Sequence, residues 1–324
     1  MKSIAVIGAG AWGTSLAARF AEAGGDVLLW AREPEVVESI NNHHENTLFL
    51  KGITLPANLR STSNLEALAG ARALFLVPPA QFMGVTVEAV QKAGLGAEVP
   101  MVICSKGIDT RTRQLMSEVI AERVKNPLAV LSGPTFADEV AKGLPFAATL
   151  ACGDDTVRQK LVSLANGASF RLIPSSDIIG AQIGGAVKNV VAIACGVMEG
   201  RALGQNAKAA VLTQGLREMS ALTLAKGGKA KTMLEPCGVG DLTLTCGSAK
   251  SRNMSLGLAL GQGTPLKEIL ASRNSVTEGI ASAEAIHLLA SELGITMPVC
   301  DAVYRFLHQD MPLDKAVQTL ISAS

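Results

Sequence analysis

The segment Ile4-Ala5-Val6-Ile7-Gly8-Ala9-Gly10-Ala11-Trp12-Gly13 constrains this chain more than any other. Ile4 to Ile7 reads as an apolar strand, and Ala11 to Ala23 carries a helical pattern ended by Gly24-Gly25. Between them Gly8, Gly10 and Gly13 match G-x-G-x-x-G. The pattern alone is weak. Placed between a strand and a helix it marks the first turn of a dinucleotide-binding βαβ unit. Gly8 permits the tight turn, Gly10 lets a pyrophosphate approach the backbone, and Gly13 lets the helix pack closely on the strand. The helix start then offers N–H groups and a positive dipole end to phosphate.

The rest of the first half repeats short apolar runs between helical patterns. Asp26 to Trp30, Ala73 to Val77, Met101 to Cys104, Leu128 to Leu131, Phe146 to Leu150 and Phe170 to Ile173 read as strands. Pro34 to Asn42 reads as a helix with proline in its first turn. Strands that are apolar throughout and separated by helices predict a parallel sheet covered on both faces, the doubly wound Rossmann-type α/β class. From about Ser175 strand signals stop. Ala- and Leu-rich helical segments such as Ala207 to Ala225 and Ala281 to Leu293 follow, broken at Gly227-Gly228, Gly238-Val239-Gly240 and Gly261-Gln262-Gly263. The expected organisation is a dinucleotide-binding domain over 1–175 and an all-α substrate-binding domain over 176–324.

Bulk properties exclude several function classes. Lys plus Arg number 29 and Asp plus Glu 28, so no long-range field draws nucleic acid or an anionic membrane. With one Tyr and two Trp the chain lacks the aromatic platforms on which single-stranded nucleic acid stacks. No uninterrupted apolar run reaches the roughly 18 residues of a membrane span; the longest, Val190 to Met198, falls far short. The start MKSIAVIG reads as a strand rather than a targeting segment. Six cysteines without a C-x-x-C pair, mostly inside apolar runs, read as reduced thiols of a cytoplasmic protein. The four histidines show no metal-ligand spacing, and no metal is expected.

Several polar residues stand out against this apolar background. At the end of the second strand Arg32 favours the 2′-phosphate of NADP, whereas Glu33, twenty positions after Gly13, could hold a ribose hydroxyl or serve the first turn of the next helix. Ligands of open α/β sheets lie beyond the carboxyl ends of the strands. There the chain places Pro78-Pro79, Ser105-Lys106-Gly107 and Ser132-Gly133-Pro134-Thr135-Phe136-Ala137-Asp138. Thr135 and Asp138 fit either a helix cap or a polar-ligand site. Lys188-Asn189 interrupts a strongly apolar helical stretch. A desolvated lysine has a lowered pKa that suits proton transfer, although a snorkelling lysine would fit the same pattern. Asp241 follows a glycine turn and reads as a helix-start residue or a site carboxylate. Ser251 is a natural N-cap, and Arg252 after it is either an ordinary first-turn residue or a two-pronged phosphate donor.

GAGAWGT, CSKGI, SGPTFA, GGAVKN, GVGDLTLTC and SRN occur in that order. Together they resemble the bacterial NAD(P)-dependent glycerol-3-phosphate dehydrogenases, over essentially the whole chain and through Val276-Thr277-Glu278-Gly279. The resemblance implies reversible reduction of dihydroxyacetone phosphate to sn-glycerol 3-phosphate, a precursor of membrane phospholipids, with NADP preferred and NAD as the alternative. It implies Lys188 as the catalytic proton donor and acceptor, with Asn189 beside it. Lys106 would touch cofactor and substrate, and Gly133, Thr135, Asp241, Ser251, Arg252 and Asn253 would surround the substrate. Gly8, Gly10, Ala11, Trp12, Gly13, Arg32, Phe49, Pro78, Ala137, Arg252, Val276 and Glu278 would line the cofactor. Two departures matter. Ala11 stands where relatives often carry Ser, leaving pyrophosphate recognition to the backbone. Glu235-Pro236-Cys237 replaces smaller residues and bears on the shape of the Asp241 turn. A homodimer through the apolar helices is also expected.

Overall fold

The computed structural model describes residues 3–165, 170–272 and 278–323. Val276 lies outside the described residues. The chain divides into two compact units that interleave along the sequence. The first comprises Met1–Ser105, Met116–Leu131 and Thr135–Ile178; the second comprises Lys106–Leu115, Ser132–Pro134 and Ile179–Ser324.

The first unit alternates strands and helices: β1 (Ser3–Ile7), α1 (Ala11–Glu22), β2 (Asp26–Trp30), α2 (Pro34–His43), β3 (Arg60–Thr62), β4 (Ala73–Leu76), α3 (Met83–Lys92), β5 (Met101–Ile103), α4 (Met116–Ala121), β6 (Leu128–Ser132), α5 (Ala137–Ala141), β7 (Phe146–Cys152), α6 (Asp155–Ala165) and β8 (Phe170–Ser175). The strands form one sheet in the order β3-β2-β1-β4-β5-β6-β7-β8. The pairs β1·β2, β1·β4, β2·β3, β4·β5, β5·β6 and β7·β8 are parallel. This is the doubly wound fold that the apolar runs predict. Both β4 and β5 are buried along their whole length, as strands covered on both faces must be. Beneath α1 the rings of Phe20 and Phe75 pack with centroids 4.6 Å apart, filling the core on that face.

Chain order reverses at β1, which has β2 on one side and β4 on the other. Ile7 pairs with Trp30 and with Leu76, so the glycine loop leaves the sheet between the ends of β2 and β4. That is the switch point where open α/β sheets bind ligands. β3 carries no apolar run and was not foreseen. Polar side chains fix it to β2 instead: Ser61 Oγ donates to the Leu29 carbonyl at 2.9 Å, and Arg60 pairs with Asp26 at 2.8 Å. α5 begins at Ala137 with Phe136 in the cap position and no side-chain cap bond, so Asp138 lies inside the first turn.

The second unit is helical: α7 (Ile178–Gly200), α8 (Gly204–Ala225), α9 (Asp241–Gly247), α10 (Arg252–Gly261), α11 (Leu266–Ala271), α12 (Glu278–Glu292), α13 (Pro298–His308) and α14 (Leu313–Ala323). α7 is its axis, buried from Gly180 to Met198. By length and composition α7 is apolar enough to cross a membrane. The count of uninterrupted apolar residues missed this because Gln182, Lys188 and Asn189 break the run. Here α7 is a core helix: Val187, Val191, Met219, Leu222, Met254 and Ile286 belong to one buried cluster around it. Across that core Glu218 of α8, only 1% exposed, accepts the N–H groups of Val299 at 2.7 Å and Cys300 at 3.0 Å, capping α13. Burial raises the Glu218 pKa.

Candidate active site

The glycine loop is built by close backbone approaches. Gly8 has φ +107°, and a Cβ there would lie 3.0 Å from the Val77 carbonyl. A Cβ on Gly13 would lie 1.9 Å from the Gly8 carbonyl oxygen, so no side chain fits. Gly10 differs: it is exposed, and a Cβ there would meet no atom within 4 Å. It sits at the N-cap of α1, with no side-chain cap bond and no acidic residue in the first turn. The orphan N–H groups of the first turn and the dipole end therefore face open space beside Gly10. The indole Nε1 of Trp12 is buried without a partner among the described residues. Such a cradle has the shape and polarity that a dinucleotide pyrophosphate requires, and Gly10, Ala11, Trp12 and Gly13 are the residues that would hold it.

Other cofactor candidates of the first unit gather near this loop. Pro78 follows β4, with its nitrogen 3.3 Å from where a Gly8 Cβ would sit. Ser15 Oγ donates to the Ala137 carbonyl at 2.7 Å, joining α1 to the start of α5. Phe49, 41% exposed, is tied to the loop through Asn46, which accepts its N–H at 3.0 Å. Arg32 lies just past β2 with its side chain 79% exposed and paired to Glu33 Oε1 at 2.9 Å. Thr135 also belongs to this unit.

In the second unit two of the candidate substrate residues, Lys106 and Lys188, converge on one buried carboxylate. Asp241 is 1% exposed and opens α9. Its Oδ1 accepts from Lys188 Nζ at 2.8 Å, and its Oδ2 from Lys106 Nζ at 2.6 Å. Lys188 Nζ also donates to Thr245 Oγ1 at 2.8 Å, and Lys106 Nζ to the Gly133 carbonyl at 3.0 Å. Thr245 was missed by sequence reasoning; its signal was the i+4 spacing from Asp241, which puts both on one helix face. Of the two sequence readings of Lys188, burial decides. It is 7% exposed, too deep to snorkel. Burial lowers its pKa to about 8; Asp241 opposes that shift, and the charge of Lys106 adds to it.

The turn before Asp241 depends on two glycines. A Cβ on Gly238 would lie 2.3 Å from the Met233 carbonyl oxygen, and one on Gly184 of α7 would lie 2.2 Å from the Cys237 carbonyl oxygen. Glu235-Pro236-Cys237 is accommodated: the backbone of Pro236–Gly240 kinks at Gly238, whose φ of −97° and ψ of −105° are not helical, and Cys237 is fully buried. A second polar network adjoins on α7 and α10. Asn253 Nδ2 donates to Asn189 Oδ1 at 2.9 Å, and Asn253 Oδ1 accepts the Gly279 N–H at 3.1 Å. Ser251 caps α10 as expected, its Oγ accepting the Met254 N–H at 3.2 Å. Glu278 opens α12; burial raises its pKa, while the charges of Arg252, Lys106 and Lys188 pull it down. The hydroxyl of Ser132, 4% exposed, has no partner among the described residues.

A family profile described as the NAD-dependent glycerol-3-phosphate dehydrogenase N-terminus matches residues 3–158, and one for the C-terminus of the same family matches residues 177–318. The chain belongs to the NAD-dependent glycerol-3-phosphate dehydrogenase family. A glycerol-3-phosphate dehydrogenase [NAD(P)+] of Parvibaculum lavamentivorans is 50% identical over 323 residues, covering 99% of this chain and 96% of that one. The protein of that name from Caulobacter vibrioides is 46% identical, covering 99% and 97%. The crystal structure of glycerol-3-phosphate dehydrogenase from Coxiella burnetii superposes with a TM-score of 0.94 at 36% identity, covering 99% of this chain and 98% of that one. The doubly wound sheet and the helical unit are thus shared with that structure.

Proposed function

We propose that this chain is an NAD(P)-dependent sn-glycerol-3-phosphate dehydrogenase, interconverting dihydroxyacetone phosphate and sn-glycerol 3-phosphate. The observation that carries this reading is the buried cluster of Lys188, Asp241, Thr245 and Lys106 in a member of that family. When bound, the nicotinamide supplies the hydride chemistry. The chain's own residues supply position, charge and the proton. The Lys188 ammonium has three donors. Asp241 Oδ1 and Thr245 Oγ1 take two of them, which leaves the third for the oxygen on substrate C2. Lys188 gives its proton to that oxygen in reduction, and the neutral amine takes it back in oxidation. A pKa of about 8 keeps both forms accessible near neutrality. Asp241 holds the buried ammonium charged and aimed, and its other oxygen does the same for Lys106.

Lys106 likewise keeps one donor beyond Asp241 and Gly133, for substrate and cofactor. Arg252 grips the substrate phosphate with its planar fork. Gly133, Thr135, Asn189, Ser251 and Asn253 complete the substrate surroundings, Asn189 and Asn253 by holding each other in place. Gly8, Gly10, Ala11, Trp12, Gly13, Phe49, Pro78, Ala137 and Glu278 line the cofactor, and Arg32 biases it toward NADP. Six buried free thiols support a cytoplasmic setting, and we place the protein there as a homodimer, which sedimentation would check. The deciding assay follows oxidation of NADPH and of NADH with dihydroxyacetone phosphate as substrate. Turnover that yields sn-glycerol 3-phosphate is expected. Activity on a 3-hydroxy acid with none on dihydroxyacetone phosphate overturns the proposal.

A further inference from the structure

Between α2 and β3 the chain forms a loop in which one polar side chain is completely buried. Asn46 is 0% exposed. Its Nδ2 donates to the Ala9 carbonyl at 2.8 Å and to Thr14 Oγ1 at 2.8 Å. Thr14, itself 0% exposed, donates from Oγ1 to the same carbonyl at 3.1 Å. Asn46 Oδ1 accepts the Phe49 N–H at 3.0 Å, and its own carbonyl accepts the Leu50 N–H at 2.9 Å. One amide thus brackets the 46–50 loop to the middle of the glycine motif, 37 positions away in sequence.

The bracket acts on a particular peptide. In a trans peptide the C=O and the following N–H point in opposite directions. Two buried donors draw the Ala9 carbonyl into the protein and occupy both of its lone pairs. The N–H of exposed Gly10 is thereby turned outward, and it meets no acceptor among the described residues. Without the bracket this peptide could rotate and present a carbonyl oxygen to an anion, replacing an attraction with a repulsion. Neither helix propensity nor the glycine pattern fixes this orientation, because glycine at position 10 leaves the peptide free to turn.

We propose that Asn46 is a positioning residue for the dinucleotide. It aims the Gly10 N–H at the pyrophosphate and couples that peptide to Phe49. The inference rests on the dinucleotide-binding reading of the glycine loop. It is tested by titrating NADH and NADPH into the full-length protein, following nicotinamide fluorescence, for wild type, Asn46→Ala, Thr14→Val and Thr14→Ser. Asn46→Ala raises both Kd values by the same factor, about tenfold, the order expected for one weakened hydrogen bond to a charged group. Thr14→Val raises them less, and Thr14→Ser, which keeps the hydroxyl, binds as wild type does. At saturating dinucleotide the KM for dihydroxyacetone phosphate moves by less than about twofold in each variant. An unchanged Kd in folded Asn46→Ala overturns the proposal. So does a loss of binding that merely tracks the unfolded fraction seen by circular dichroism. Should Asn46→Ala not fold, the Thr14 pair decides: equal Kd values for Thr14→Val and Thr14→Ser overturn it. Wild type that binds neither NADH nor NADPH removes the dinucleotide reading itself, a failure separate from that of the variants.

Discussion

The glycine loop of the first unit contains no charged side chain, whereas the cluster in the second unit sets two lysines on one buried carboxylate. Both regions are suited to anions, by different physics. The loop uses backbone N–H groups and a helix dipole, which are neutral and exposed at Gly10, so the apo fold bears little desolvation cost there. The cluster holds full charges out of water. Asp241 offsets the burial of Lys188, and removing Asp241 leaves the Lys188 ammonium buried without its counterion. Backbone recognition therefore fails through shape, when a Cβ intrudes. Side-chain recognition fails through charge.

Substitutions can break this contrast. The largest expected effect is on turnover in Lys188→Ala. Losing a positioned proton donor costs on the order of 10²–10⁴ in kcat. Asp241 keeps Lys106 as its counterion, and the Kd for NADPH stays within about twofold of wild type. Near-normal kcat in Lys188→Ala would remove it from the proton step. The loop should behave in the converse way. Gly10→Ala meets no protein atom, so its melting temperature should match wild type while dinucleotide Kd rises about tenfold or more. Gly13→Ala drives a Cβ to 1.9 Å from the Gly8 carbonyl oxygen, and should lower stability by about 1–3 kcal/mol as well as binding. If Gly10→Ala destabilised the apo protein as much as Gly13→Ala, the space beside Gly10 would not be the cradle.

A smaller effect separates the two lysines. Lys188 titrates at about 8 because burial lowers its pKa, Asp241 raises it and Lys106 lowers it further. In the proposed proton step reduction uses the ammonium, so kcat for dihydroxyacetone phosphate should fall as pH rises through that value; oxidation uses the amine and should rise there. Lys106→Met removes the neighbouring cation and leaves Asp241 to Lys188 alone. Both changes favour the ammonium, so the break in each profile moves to higher pH. Lys106→Arg keeps the charge and should leave the break near wild type. A break that stays put or moves down in Lys106→Met would mean the two ammonium groups do not sense each other.

The difference between the regions also explains what the sequence made legible. Gly8, Gly10 and Gly13 announce their role because the spacing of a backbone device is local: strand, turn and helix are contiguous. Lys188 was conspicuous as a charge inside an apolar helix. Asp241 and Arg252 each carried two readings in the sequence, a helix-start residue or a site residue, and the sequence left them open because Lys106 and Lys188 meet Asp241 from 135 and 53 positions away. Asn46 gave no signal. Its neighbours are His43, His44 and Glu45, a polar stretch that reads as a surface loop, and its burial appears only once Ala9 and Thr14 are seen beside it. Ser132 was hidden within SGPTFA, where Gly133 and Thr135 drew attention. β3 was invisible because Arg60, Ser61 and Thr62 owe their strand to pairing with β2 and not to apolar content.

The smallest expected effect tests whether the first unit keeps any charge-based recognition at all. Arg32 is the candidate cation at the end of β2, and its side chain is both exposed and engaged by Glu33. An exposed ion pair contributes about 0–1 kcal/mol, so a 2′-phosphate gains little from Arg32 and must draw it away from Glu33. Arg32→Ala should raise the KM for NADPH only about twofold to fivefold, with the KM for NADH unmoved. Glu33→Ala should act oppositely, releasing Arg32 and lowering the KM for NADPH. In the double variant the Glu33 effect should vanish, because Glu33 acts on the 2′-phosphate only by occupying Arg32. If Glu33→Ala instead raised the KM for NADH alone, Glu33 would be holding the ribose hydroxyls, and the loop's partner at the end of β2 would be the carboxylate rather than the guanidinium.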